Sequence, residues 1–226
     1  MDTGYISLYF TLEKKMFRTP CRRLLLSLLF LSWATLAQET KPAIDAGATT
    51  GNSFQASFFH FRYELPNGWS ALPDDVRIEE NRKRYETQLA EALKKEGPNR
   101  ETQKTEVFPP FNLLVAAPTL LTSSETNQLP RLVIYAQKRI TMLMEAGDPA
   151  KMILHIPQVK VLRGPEDLLL SGHKFVRTDF RFQDGEVLSK FVTVDGDYLI
   201  NFDFRPAHEK DLIDLANTLQ TVAFKP

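Results

Sequence analysis

The sequence predicts an α+β domain: an antiparallel β-sheet flanked by helices and ending in a three-stranded meander. Three observations carry that expectation. Late in the chain, three segments alternate apolar and polar residues with a period of two, separated by Asp184-Gly185 and Asp195-Gly196, dipeptides that close tight hairpins. Between residues 74 and 96 the apolar spacing changes to that of a helix. Ahead of both, Phe59, Phe61, Tyr63 and Leu65 fall on one side of a strand predicted over Ser57 to Leu65.

The chain starts with an address rather than with structure. Arg22-Arg23 precede an apolar run from Leu24 to Trp33, and Ala34-Thr35-Leu36-Ala37 supplies small residues for cleavage after Ala37, so 1–37 reads as an export signal. The run falls short of the about 20 apolar residues that span a bilayer, although an uncleaved anchoring helix is the alternative. Met16 is a better start than Met1, because Met16-Phe17-Arg18 leads directly into the basic region. Residues 38–53 are small and polar and read as a flexible leader, leaving 54–226 as one domain.

Composition then removes several chemistries. Cys21 is the single cysteine and would leave with the signal, so the exported chain has no thiol for a disulfide, a nucleophile or a metal, and no cysteine for lipid attachment. The signal carries five basic and two acidic residues, leaving 23 basic against 26 acidic. A near-neutral, slightly acidic domain is a poor partner for nucleic acid. Contact with a membrane is expected only through an uncleaved signal segment, and the expected partner is a protein or a small ligand.

The remaining elements follow in order. Pro66-Asn67-Gly68 ends the first strand, and Asp74 to Glu96 forms a helix with a stripe of Ile78, Tyr85, Leu89, Ala92 and Leu93, stopped by Gly97-Pro98. Phe111 to Ala116 and Leu132 to Ala136 are paired strands around a polar loop at 122–130. Ile140 to Ala146 and Pro149 to His155 read as helices, with Asp148 as a cap and Met142, Met144 and Met152 as core filler. The meander follows, and then Pro206 opens a helix carrying Leu212, Leu215, Ala216 and Leu219 on one face, before Val222 and Phe224 close the core.

At this point the residues resemble a family. Leu65-Pro66-Asn67-Gly68-Trp69 after an opening strand, Gly172-His173 leading into the meander, and the ending from Leu215 to Phe224 are similar to the PsbP/Mog1-type α/β/α sandwich and its secreted bacterial members. The resemblance covers roughly 54–70 and 172–226. It implies a sheet flanked by helices, used mostly as a binding or assembly-accessory module rather than an enzyme. No family ligand motif is matched, so no functional residue carries over. The helix at 74–96 and the segment 99–130 look like additions.

No Gly-x-Ser-x-Gly, Gly-x-Gly-x-x-Gly, Gly-x-x-x-x-Gly-Lys or His-Glu-x-x-His pattern occurs. The histidines His60, His155, His173 and His208 have no ligand spacing, and Asp184, Asp195 and Asp197 fit hairpin turns better than a calcium loop. No cofactor is expected. The candidate site is therefore a polar sheet face formed by Arg177, Asp179 and Arg181 on one strand and Asn201, Asp203 and Arg205 on another. The expected function is a non-catalytic binding or assembly-accessory module in the periplasm or outside the cell, with two rivals: a hydrolase joining Asp179 and Asp203 on that face with His173, or a carrier holding an apolar ligand between sheet and helix, beneath Phe180, Phe202 and Leu215.

Overall fold

A computed structural model of the chain describes residues 45–96, 107–124, 129–141 and 144–225, so the expected export signal at 1–37 lies outside the described residues. Two antiparallel sheets organise them. The larger comprises β4 (Ser70–Ala71), β5 (Phe111–Ala117), β6 (Arg131–Lys138), β7 (Lys160–Leu170), β8 (His173–Arg181), β9 (Val187–Asp195) and β10 (Tyr198–Arg205), in the order β4-β5-β6-β10-β9-β8-β7. The smaller comprises β1 (Ala48–Thr50), β2 (Ser53–Ala56), β3 (Phe61–Glu64) and β11 (Ala223–Phe224). The chain is thus α+β, with the C-terminal meander β8-β9-β10 at the centre of the larger sheet.

The two faces of the larger sheet are covered differently. On the inner face, Phe202 meets Phe61 of the smaller sheet at 5.6 Å between ring centroids, and Phe175 meets Phe224 at 6.1 Å. The C-terminal helix α3 (Leu212–Asn217), followed by a 3-10 turn over Thr218–Thr221, buries Leu212, Leu215, Ala216 and Leu219 as their spacing predicted. On the outer face, Val76 of helix α1 (Asp74–Glu96) packs near Leu72 and Val115, while Ala150 of helix α2 (Asp148–Leu154) packs on Phe180 and Leu188.

Several expectations are corrected. The stretch 38–53 was expected to be a flexible leader, but Ala48–Thr50 pair with β2 and Ala46 is buried, so the fold already includes residues from Asp45. The strand expected over Ser57 to Leu65 is interrupted: β2 and β3 form a hairpin whose turn ends at His60, with φ of +52°. His60 is a turn residue, and its neighbour Phe59 still reaches the core. Between Ile140 and Ala146 the described residues 140–141 and 144–146 are not helical, and Ile140 stands exposed. Gly147, not Asp148, is the N-cap of α2; the Asp148 carboxylate accepts the Glu145 N–H and pairs with Lys151. Met144 is buried against Val192 and Leu199, Met152 is exposed, and Met142 lies outside the described residues. Strand β7 was not anticipated, because it is an edge strand with mostly exposed side chains and two register shifts around Gly164-Pro165.

Helix α1 has the predicted bounds but not the predicted anchor. Ile78, Tyr85 and Leu93 are 48%, 44% and 56% exposed, whereas Arg77 is 1% exposed. The Arg77 guanidinium donates to Ala46 O at 2.6 Å, Gly47 O at 2.9 Å, Asn112 O at 3.3 Å and Asp74 Oδ1 at 2.7 Å, and lies 5.8 Å from the Phe54 ring centroid. Asn81 adds two bonds to the backbone of Asn112. Polar groups fasten this helix because it lies over the β1 end and the β5 edge, where backbone carbonyls need donors.

Candidate functional site

The six residues expected on one polar face stand on two. In the β8-β9 pair Arg177 faces Phe191 and Asp179 faces Ser189; in the β9-β10 pair Phe202 faces Phe191 and Phe204 faces Ser189. Side chains directly opposite each other in a sheet share a face. Arg177, Asp179 and Arg181 therefore lie with Phe202 and Phe204 on the inner face, while Asn201, Asp203 and Arg205 lie with Thr178 and Phe180 on the outer one. The cause is the first hairpin. Phe182 N–H donates to Glu186 O and Gly185 adopts φ of +89°, so Gln183-Asp184-Gly185 is a three-residue loop with glycine in the left-handed position. One residue more than a two-residue turn swaps the faces of everything downstream.

The charged residues of each row are ion-paired within the chain, while Asn201 donates to Leu199 O and its buried Oδ1 has no partner among the described residues. On the inner face Arg177 binds Asp179 through Nε at 3.0 Å and Nη2 at 2.9 Å, Ser189 Oγ donates to the same carboxylate, and Arg163 Nε lies 3.5 Å from it. Arg177 also lies 5.1 Å from the Phe191 ring centroid. Arg181 pairs with Glu209 beside helix α3. On the outer face Lys190 Nζ donates to Asp203 Oδ1 at 2.7 Å and to Tyr135 Oη at 2.6 Å, and Arg205 pairs with Glu186. Burial pulls the Lys190 ammonium down, but Asp203 and Tyr135 outweigh it and raise the group above the ordinary lysine value. Burial, aided by Asp203, raises the Tyr135 phenol.

This geometry does not assemble the rival chemistries. Asp179 and Asp203 point from opposite faces, and His173, stacked on Phe224 at 3.7 Å, is six residues along β8 from Asp179, about 20 Å away. Phe180 and Phe202 likewise lie on opposite faces, so they cannot wall one cavity with Leu215. Among the described residues, no group of three or more His, Cys, Asp or Glu is placed to hold a metal ion, and no helix is long and apolar enough to cross a membrane.

Among the described residues the open depressions lie elsewhere, the larger ones, of about 520 and 630 Å³, being as polar as apolar and the one at Trp69 mostly apolar. A groove of about 250 Å³ runs between the turn after β3 and the start of helix α3. Its floor and walls are Pro66, Trp69, Pro130, Pro206 and Leu215, and Asp211 and Asp214 stand at its rim. Trp69 is positioned because its N–H donates to Pro66 O, closing the Pro66-Asn67-Gly68 turn, where Gly68 takes φ of +78°. Thr218 is held by donating to Leu215 O while sharing a 2.7 Å hydrogen bond with the buried Tyr63 phenol, which burial raises strongly. Pro206 and Ala207 also border a second depression of about 330 Å³, lined with Leu129, Asp184 and Glu209. The sequence showed Trp69 and Pro206 as turn and helix-start residues, and nothing in it joins them into one groove.

No protein-family model matches the chain, and the search of curated proteins finds no matching sequence. Solved structures do match in shape. The PsbP protein CyanoP of Synechocystis sp. PCC 6803 is similar over 84% of this chain and 99% of its own, at 12% identity and a TM-score of 0.43. LpqN, described as involved in cell envelope biogenesis of Mycobacterium tuberculosis, is similar over 74% of this chain and 83% of its own, at 10% identity and a TM-score of 0.38. A PsbP protein, of the family that the sequence resembles, is thus among the structures found.

Proposed function

We propose that this chain is an exported binding or assembly-accessory module that docks its partner at the Trp69 groove and does not turn over a substrate. The groove itself carries the reading: an apolar, proline-walled floor stands open beside the carboxylates of Asp211 and Asp214. The charged rows of both sheet faces are, by contrast, engaged within the chain. The signal-like segment 1–37 supports delivery out of the cytoplasm.

The test is site-specific photo-crosslinking in the producing cell. A photoreactive residue at Ala207, in the groove, is compared with one at Glu91 on exposed helix α1. A discrete adduct from Ala207 and none from Glu91, on protein recovered outside the cytoplasm with Gln38 as its first residue, is the expected result. Equal labelling from both positions, or none from Ala207, sinks the docking site. Recovery of the chain only from the cytoplasm sinks export.

A further inference from the structure

We propose that the occupant of the groove is an extended, cationic peptide segment of a partner protein, with proline or aliphatic residues between its basic side chains; this rests on reading the groove as a docking site. Charge comes first. Asp211 and Asp214 make no side-chain hydrogen bond or ion pair among the described residues, and no Lys, Arg or His lines the groove with them. Two carboxylates at a solvent-facing rim, Asp214 exposed and Asp211 half-buried, attract a cation and repel an anion.

The groove is also short of donors. Pro66, Pro130 and Pro206 have no N–H. The Asp211 N–H is given to His208 O, and the Thr218 hydroxyl is given to Leu215 O. Trp69 Nε1–H is left as a donor, with no partner among the described residues. A phosphate or carboxylate ligand would find only the Trp69 indole N–H and the Ala207 N–H here and would face two carboxylates, whereas a cation finds two acceptors beside an indole.

Shape then selects a peptide. A volume of about 250 Å³ is below the usual range for small-molecule sites and suits one or two side chains. A second depression, of about 330 Å³, shares Pro206 and Ala207 with it, so a chain longer than one side chain has surface to lie on at either side of them. Glu186 and Glu209 of that depression are neutralised by Arg205 and Arg181, so it adds wall and, through Asp184, one further carboxylate. A narrow groove with proline and tryptophan walls fits a chain in the extended polyproline conformation, which is ordered before it binds.

Tryptophan fluorescence reads the site directly. The chain has two tryptophans, Trp33 and Trp69, so the full chain with Trp33→Phe reports from the groove alone. The probes are a synthetic Pro-Arg repeat peptide and a Pro-Glu repeat of equal length. The Pro-Arg peptide is expected to shift Trp69 emission saturably and to weaken with added salt, and the Pro-Glu peptide to leave it unchanged. In a background of Asp211→Asn with Asp214→Asn the Pro-Arg affinity should fall about fivefold or more, while Glu91→Gln on α1 changes nothing. Equal binding of both peptides, or full affinity in the double asparagine variant, overturns the cationic occupant. If neither peptide binds yet Ala207 still crosslinks, this inference falls and the docking site stands; if both experiments fail, both fall.

Discussion

Replacing Arg77 with methionine should cost more stability than any exposed charge on the same helix. The side chain is 1% exposed, and methionine keeps most of its apolar stem while deleting the guanidinium. Asn112 O retains the Asn81 amide at 2.8 Å, so its loss is small. Ala46 O and Gly47 O each lose a charged donor, which costs roughly 1–2 kcal/mol apiece where water cannot replace it. Asp74 is partly exposed and recovers solvent, and it keeps its bond from the Thr49 N–H. With the lost contact to Phe54 the sum is about 3–4 kcal/mol. In urea this moves the unfolding midpoint down by about 1.5–2 M at a slope near 2 kcal/mol per molar. Arg82→Met provides the control: its side chain is 56% exposed and pairs only with Glu79 and Glu86, so about 0.5 kcal/mol or less is expected. Hydrogen exchange adds a local readout, since the β1 end that Arg77 grips through Ala46 O and Gly47 O should open more readily than the central strands. A midpoint for Arg77→Met within about 1 kcal/mol of the parent, or equal to Arg82→Met, would refute the view that polar anchors hold α1.

Three further outcomes follow from the same structure. Removing residues up to Ser53 deletes β1 and the carbonyls that Arg77 grips, so the truncated domain should melt well below the chain that starts near Gln38; equal melting temperatures would restore the leader reading. Asp179→Asn and Asp203→Asn act on opposite faces and share no partner, so their costs in a double-mutant cycle should add within about 0.5 kcal/mol; strong coupling would show that the two carboxylates meet. At alkaline pH the folded chain should lose stability, because Lys190, Tyr135 and Tyr63 all have raised folded values. Each holds its proton more tightly folded than unfolded, so the stabilisation is intact below about pH 10 and declines as pH rises beyond it. Lys190→Met should flatten part of that decline while costing about 3 kcal/mol or more at neutral pH, because Asp203 is left buried and unpaired; a chemical-denaturation series against pH checks both.

Some of the architecture was legible and some was not, for identifiable reasons. The bounds of α1 were readable from Asp74-Asp75 at its start and from its spacing, but its anchor was not. A stripe of Ile78, Tyr85 and Leu93 suggested an apolar seat, whereas the seat holds backbone carbonyls that only a donor such as Arg77 can satisfy. The β2-β3 hairpin was hidden because Phe58 and Phe59 continue an apolar run through the turn. Edge strand β7 carries no periodic signal, since water covers most of its side chains.

The sequence by itself determined which side chains alternate along the meander strands, where the two meander hairpins fall, and that the last helix buries Leu212, Leu215, Ala216 and Leu219. These depend on local period and turn chemistry, which a single segment contains. Which rows share a face was decided only by the tertiary structure, because it hangs on loop length. The three-residue loop ending at Gly185 keeps odd-numbered residues of β8 with odd-numbered residues of β9, and the two-residue loop at Gly196-Asp197 then pairs them with even-numbered residues of β10. Asp179 and Asp203 were separated by that one residue. The Trp69 groove was likewise beyond the sequence, since Pro66, Pro130 and Pro206 meet there from three distant turns.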